Sequence, residues 1–424
     1  MSQAQQAPAP AAAPATIATV GTPSPAVAPK GFDDVPGLLN RLQVAAVAVC
    51  LVFGVLAAML QFLGWQANGR AADNTEQLVR IQEIQSSLLR ADALATNAFL
   101  VGGLEPAEQR AEYDAAIDDV LRGITDAAEA QPADREALAA LNSEVATYAS
   151  SIAQARDNNR QGFPIGAEYL QEAGRDLRAE ALPIIQELVT ANSQRAEDEM
   201  SGQHPVLLLL VGIAALAALW WLNRQLAQRF HRRINVGIAA AGVGVAAITL
   251  LATFLAQDQG GDNDALVEGS YQDAADGAAV RTLANDAKAN ESLLLVKRGS
   301  GQAFEDAWVV AAGQVEDLAS GDTLTAWERY ATLHAEIVEL DASGDWTGAV
   351  LAATTRDENG ASEALDVVDR SAQADVDLAA EETTDTLRSG RDYALILAIA
   401  TLLLGLVAAA LCTWGINQRR KEYA

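Results

Sequence analysis

The chain has 424 residues, half of them hydrophobic, and a formal net charge of −27. A surface so acidic is a poor partner for nucleic acid, whose phosphates need clustered Lys and Arg. Two cysteines and three histidines leave no disulfide framework and no histidines at metal-ligand spacing. No glycine-rich phosphate loop or nucleophile elbow occurs either, so neither a catalytic centre nor a cofactor is expected.

Residues 1–37 read as an Ala/Pro-rich tail that cannot bury a core; six of the 12 prolines precede Lys30, the first charged side chain. The first apolar run begins too far in, and is too long, for a cleaved signal peptide. Four such runs occur, at 44–63, 205–222, 235–256 and 393–413, each about the 20 residues a helix needs to cross hydrocarbon. With their flanks they define spans at 38–65, 205–222, 235–256 and 393–415. Trp65, Trp220, Trp221 and Trp414 suit the interfaces.

Residues 223–234 carry Arg224, Arg229, His231, Arg232 and Arg233 between the second and third runs. One arginine at a bilayer centre costs about 2.5–3.5 kcal/mol, so this is a short turn between two spans, and short basic loops stay cytoplasmic. Both termini, including the tail 416–424 with Arg419, Arg420 and Lys421, are then cytoplasmic. The outer segments hold 24 acidic and 11 basic residues (66–204) and 29 acidic and 9 basic residues (257–392). Charge is sorted by membrane side.

In the first outer segment Leu78, Ile81, Ile84, Leu88, Ala91, Ala95 and Ala98 alternate steps of three and four, a bundle seam. Breaks at Gly102-Gly103, Gln131-Pro132 and Gly162-Phe163-Pro164 predict four helices, with Pro183 a kink. The second segment shows breaks at Gly299-Ser300-Gly301, Ser320-Gly321-Asp322 and Ser343-Gly344-Asp345, predicting a second four-helix bundle with shorter middle helices. The expected fold is all-α: four transmembrane helices carrying two duplicated extracytoplasmic four-helix bundles.

Few residues suggest a site. The basic turn either satisfies topology and attracts anionic lipid, at about 1 kcal/mol per charge, or docks a cytosolic protein through Arg224, Arg229, His231, Arg232 and Arg233. Asn158, Asn159 and Arg160 fall at a membrane-distal turn that is either plain and solvated or a tip for an outer partner. Trp346, at the matching turn of the second copy, either joins that tip or staples it. Arg90 is expected in a surface ion pair. Small-xxx-small pairs (Gly54/Ala58, Gly237/Ala241, Gly405/Ala409) suit close helix packing, within the chain or in a homo-oligomer.

Two outer bundles carried between spans resemble the sensing bundles of chemoreceptors and histidine kinases, without room for their cytosolic output domains. The tail, the topology, the duplication and segments such as GFPIGAEYLQEAGRDLRAEALPIIQEL at 162–188 are similar to the actinobacterial GlnX family of four-span receptors. That resemblance implies relay of amino-acid availability from a solute-binding lipoprotein outside to a serine/threonine kinase inside. The reading from both sources is a non-catalytic transmembrane receptor; the alternatives are a scaffold or accessory subunit of an envelope or transport complex, and a direct small-molecule sensor.

Overall fold

The computed structural model describes residues 35–101, 105–162, 165–230 and 235–422, and among these every regular element is helical. Four helices are long and apolar enough to cross a membrane. They are α1 (Val35–Val101), α6 (Pro205–Phe230), α7 (Val236–Glu268) and α12 (Ala361–Glu422), and each covers one of the predicted spans, short only of Asn235 in the third. Only 28–33% of each apolar window is buried. Val52, Met59, Leu210, Leu250, Phe254 and Leu403 are more than half exposed, a belt that needs hydrocarbon to cover it. This is a multi-pass membrane protein.

The four membrane helices pack in a ring, α1 touching α12 and α6, and α7 touching α6 and α12. Without a hydrophobic drive inside lipid, close backbone approach supplies the packing. A Cβ on Gly405 would lie 2.9 Å from the Gly54 Cα, and one on Gly237 2.7 Å from the Gly415 Cα. Gly54, Gly237 and Gly405 therefore seat α12 against α1 and α7 within one chain. Cys50 and Cys412, both free, meet on the α1–α12 seam with their sulfurs 3.8 Å apart.

Outside the membrane, the first module comprises the upper half of α1, α2 (Ala107–Ala130), α3 (Arg135–Arg160), α4 (Ile165–Asp176) and α5 (Leu182–Met200). Ile81, Ile84, Leu88, Ala91 and Ala95 line its core, as their spacing predicts. Just before Pro183 the helix from 165 to 200 widens into a π-turn, Leu177–Ala181, with the Leu182 N–H bonded back to the Leu177 carbonyl. Proline has no N–H and its ring collides with the carbonyl four residues back, so one wide turn before it relieves both problems.

The second module departs from the predicted four helices. After α8 (Ser270–Val296), α9 (Gln302–Leu318) and α10 (Gly321–Ala342) comes a nine-residue α11 (Trp346–Thr354). A loop at 355–360 then precedes α12. The Asp345 side chain caps α11 through the Gly348 N–H, while the polar run Asp357-Glu358-Asn359-Gly360 ends the helical pattern. The middle helices are shorter than in the first module, as expected: 17 residues in α9 against 24 in α2, and 22 in α10 against 26 in α3.

α1 and α12 run unbroken from their modules through the membrane. At 1.5 Å per residue, their 67 and 62 residues span about 100 and 90 Å. The other two spans are jointed, α5 to α6 at Ser201–His204 and α7 to α8 at Gly269.

Candidate functional site

The two modules are not separate bodies on a shared base. α1 packs along both α8 and α12, and its outer half is enclosed on nearly every side. A seam of ion pairs joins them. Arg90 on α1 reaches Asp366 (2.9 Å) and Asp369 (3.3 Å) on α12. Arg281 on α8 reaches Glu83 on α1 (2.5 Å) and Asp369 (3.1 Å). Arg178, on the π-turn, bridges Asp92 of its own module (3.0 Å) and Asp286 of the other (2.5 Å). Arg356, from the loop before α12, pairs with Glu112 on α2, and Arg388 pairs with Glu76.

Several of these charges are well buried: the Asp92 side chain is 1% exposed and that of Arg281 7%. Burial pushes the Asp366 carboxyl above its ordinary value, against the pull of Arg90 and Arg356. Removing one partner from such a network strands the other, which costs more than the pair contributes. The seam is therefore sensitive to the relative placement of the modules. Arg90 forms an ion pair, as expected, but between modules rather than on the surface. A cavity of about 20 Å³ beside Arg90, Asn97, Lys288 and Arg356 has room for a water and for no organic ligand.

A second charged cluster fills the core of the second module. Lys288 holds Glu291 at 2.5 Å and donates to the Ala353 carbonyl at 2.7 Å. The other Glu291 oxygen accepts from Tyr330 (3.1 Å) and faces His334 Nδ1 (2.9 Å), and His334 Nε2 lies 3.2 Å from Glu305. The imidazole stacks on Trp308 at 3.6 Å. Glu291 is fully buried. Burial pushes its carboxyl up, but Lys288 and His334 hold it down at about 2. Burial works against a charged His334, and the bonds to Glu291 and Glu305 outweigh it, so its pKa is raised.

The stability supplied by charged His334 is fully present below its ordinary value of 6.5 and is lost as pH rises through the raised folded value. That supplied by Glu291 is present above 4.5 and fades only as pH falls towards about 2. The thermal midpoint of the detergent-solubilised protein is therefore expected to fall as pH is raised from about 6 to 9. His334→Gln should flatten that dependence, as a melting series over this range would show.

At the end of the membrane ring remote from the modules, Arg224 is exposed, with its guanidinium 5.5 Å from the Trp220 ring. Arg229 lies on α6, and His231, Arg232 and Arg233 fall outside the described residues. The turn's exit is tied down by a residue that sequence patterning overlooked. Asn235 caps α7 by accepting from the Gly237 and Ile238 N–H groups, donates its own N–H to the Asn223 side-chain oxygen, and donates its side-chain amide to the Gly415 carbonyl of α12 at 3.0 Å. An Asn directly before an apolar run was the available signal. Asn235→Ala is expected to cost about 1 kcal/mol as a lost cap and to loosen the turn from α12, seen as faster amide exchange at 236–240.

At the distal end, and among the described residues, Asn158 and Arg160 bond within their own turn, to the Gln154 carbonyl and Asp157, and the Asn159 carbonyl accepts from the Gly162 N–H. Trp346 is half-buried. Its indole donates to the Leu295 carbonyl at 2.9 Å, and Arg298 lies over its ring at 3.9 Å. That is stapling geometry. Lys297 reaches Glu168 of the first module at 3.4 Å, so the two tips form one end.

One comparison bears on the first module. Residues 67–201 match the actinobacterial sensor domain. The matched stretch runs from the outer half of α1 to the end of α5, the helices that meet the seam from one side. No curated protein matches the chain. A sensor domain joined to the membrane by the continuous helix α1 has the role of a signalling receptor, and the seam lies where this sensor domain touches the second module.

Proposed function

We propose that the protein is a non-catalytic transmembrane receptor of the GlnX type, with both termini and the basic turn cytoplasmic. An event on the sensor domain shifts α1 against α12, and a cytosolic partner detects the shift at the inner face. The observation that carries this reading is the continuity of α1 and α12 from the ion-paired seam through the membrane. Packed helices signal by displacements of about 1–2 Å, and the buried charges make such a displacement energetically consequential.

The family resemblance supports amino-acid availability as the signal, a solute-binding lipoprotein at the distal end as its carrier, and a serine/threonine kinase as its reader. The water-sized seam cavity favours a protein-borne signal over direct capture of a small molecule at that point. Arg224, Arg229, His231, Arg232 and Arg233 are the contacts proposed for the cytosolic partner, and Asn158, Asn159 and Arg160 those for the outer one.

Affinity purification of the full chain in mild detergent, with everything that copurifies identified, tests the reading. The expected result is a cytosolic kinase and an outer lipoprotein with the native chain. The kinase alone should be lost when the four arginines become alanine. Unchanged recovery of the cytosolic partner by that variant would remove the turn as output site. Recovery of envelope or transport subunits alone would favour the scaffold.

A further inference from the structure

At the module-side boundary of the membrane, the ring of helices does not close. All four membrane helices line a cavity of about 410 Å³ there, within the range of ligand sites and large enough for part of a chain-bearing amphiphile. Leu208 and Ala252 are buried in its wall, 4% and 2% exposed. Leu255 on α7 and Tyr393 and Ile396 on α12 flank its mouth, 39%, 72% and 65% exposed. It therefore opens sideways between α7 and α12, at the depth where hydrocarbon gives way to headgroups.

The upper edge is polar. Gln203 donates to Asn68 (3.0 Å) and Gln259 to Asn263 (3.0 Å), closing the way into the modules. His204, Asp258 and Asp262 stand at the rim. The two aspartates are four residues apart on α7 and so share a face, and no lysine or arginine lines the cavity. Apolar walls below an acidic rim suit an acyl chain whose headgroup carries an ammonium, and they disfavour one that is only anionic.

We infer that this cavity binds a membrane lipid with an amine-bearing headgroup, its chain lying between α7 and α12 and its ammonium beside Asp258 and Asp262. The site is independent of the receptor reading and would exist equally in a scaffold.

Full-length protein in nanodiscs carrying spin-labelled phosphatidylethanolamine or phosphatidylglycerol tests it. An immobilised component is expected with the first lipid, favoured about fivefold per rim aspartate, the factor corresponding to about 1 kcal/mol per charge near a membrane surface. Ala256→Phe with Ala400→Phe fills the cavity and should abolish that component. Asp258→Asn with Asp262→Asn, both on exposed positions, should keep the chain bound and erase the headgroup preference. Equal immobilisation of the two lipids by the native chain, or an unchanged component in the filled variant, would overturn the inference.

Discussion

Replacing Glu291 by alanine is expected to unfold the second module at temperatures where the native chain is intact. Glu291 is the hub that Lys288, Tyr330 and His334 share, and its side chain is fully buried. Its removal leaves a buried ammonium with only the Ala353 carbonyl, and a phenol and an imidazole short of a partner. Breaking a buried pair from one side costs about 3–5 kcal/mol. Glu291→Gln should be milder, because an amide still accepts from Tyr330. Lys288→Met with Glu291→Leu should recover much of the loss, since apolar residues of similar volume replace buried pairs well. Thermal unfolding of the three variants, followed by amide exchange in α8 and α10, distinguishes these outcomes. Equal midpoints for Glu291→Ala and the native chain would mean that the cluster is not closed as described.

Gly405→Val is expected to force α12 away from α1. Even a bare Cβ at this position would sit 3.1 Å from the Cys50 carbonyl oxygen and 2.9 Å from the Gly54 Cα, backbone atoms that cannot rotate aside. Overpacking of this kind costs about 1–3 kcal/mol, and here the strain is relieved by separating two helices. The readout is built into the chain. Cys50 and Cys412 lie one and two helical turns from Gly54 and Gly405 on the same seam, with sulfurs 3.8 Å apart. A membrane-permeant oxidant should join them readily in the native chain and at least tenfold more slowly in the variant, by peptide mass spectrometry. Gly405→Ala, with the same Cβ but no branches, should fall between.

The membrane part of this fold was open to reading because it obeys one strong constraint. Four arginines cannot sit in hydrocarbon, so residues 223–234 separate two spans whatever else the chain does. Helix breaks among the described residues were equally legible, since Gln131-Pro132 and the two Ser-Gly-Asp runs interrupt clear periodicities; Gly102, Gly103, Phe163 and Pro164 fall outside the described residues. What escaped was everything that depends on the second module touching the first. Arg90 looks like a surface charge, because the face that α1 turns to the second module carries amides, alanines and paired ions and adds no second apolar stripe beside the one at Ile81, Ile84 and Leu88. Lys288 and Glu291, three apart on one helix, have a spacing shared by countless surface pairs and so carry no sign of burial. α11 and the loop at 355–360 were hidden because the duplication suggested four helices where five form. The cavity lined at 60–61, 203–208, 252–262 and 390–400 arises from the spacing of four helices and has no local pattern at all.

Signal transfer requires mechanical continuity between the ion-paired seam and the far end of the membrane ring. Asp369 accepts from Arg90, Arg281 and Asn285 and lies 43 residues before Cys412 on α12, about 65 Å along the helix. The rate of Cys50–Cys412 disulfide formation should change severalfold when Asp369 becomes alanine, although neither cysteine is near the substitution. If the rate in folded, membrane-inserted Asp369→Ala protein equals that of the native chain, α1 and α12 do not carry a displacement across the membrane.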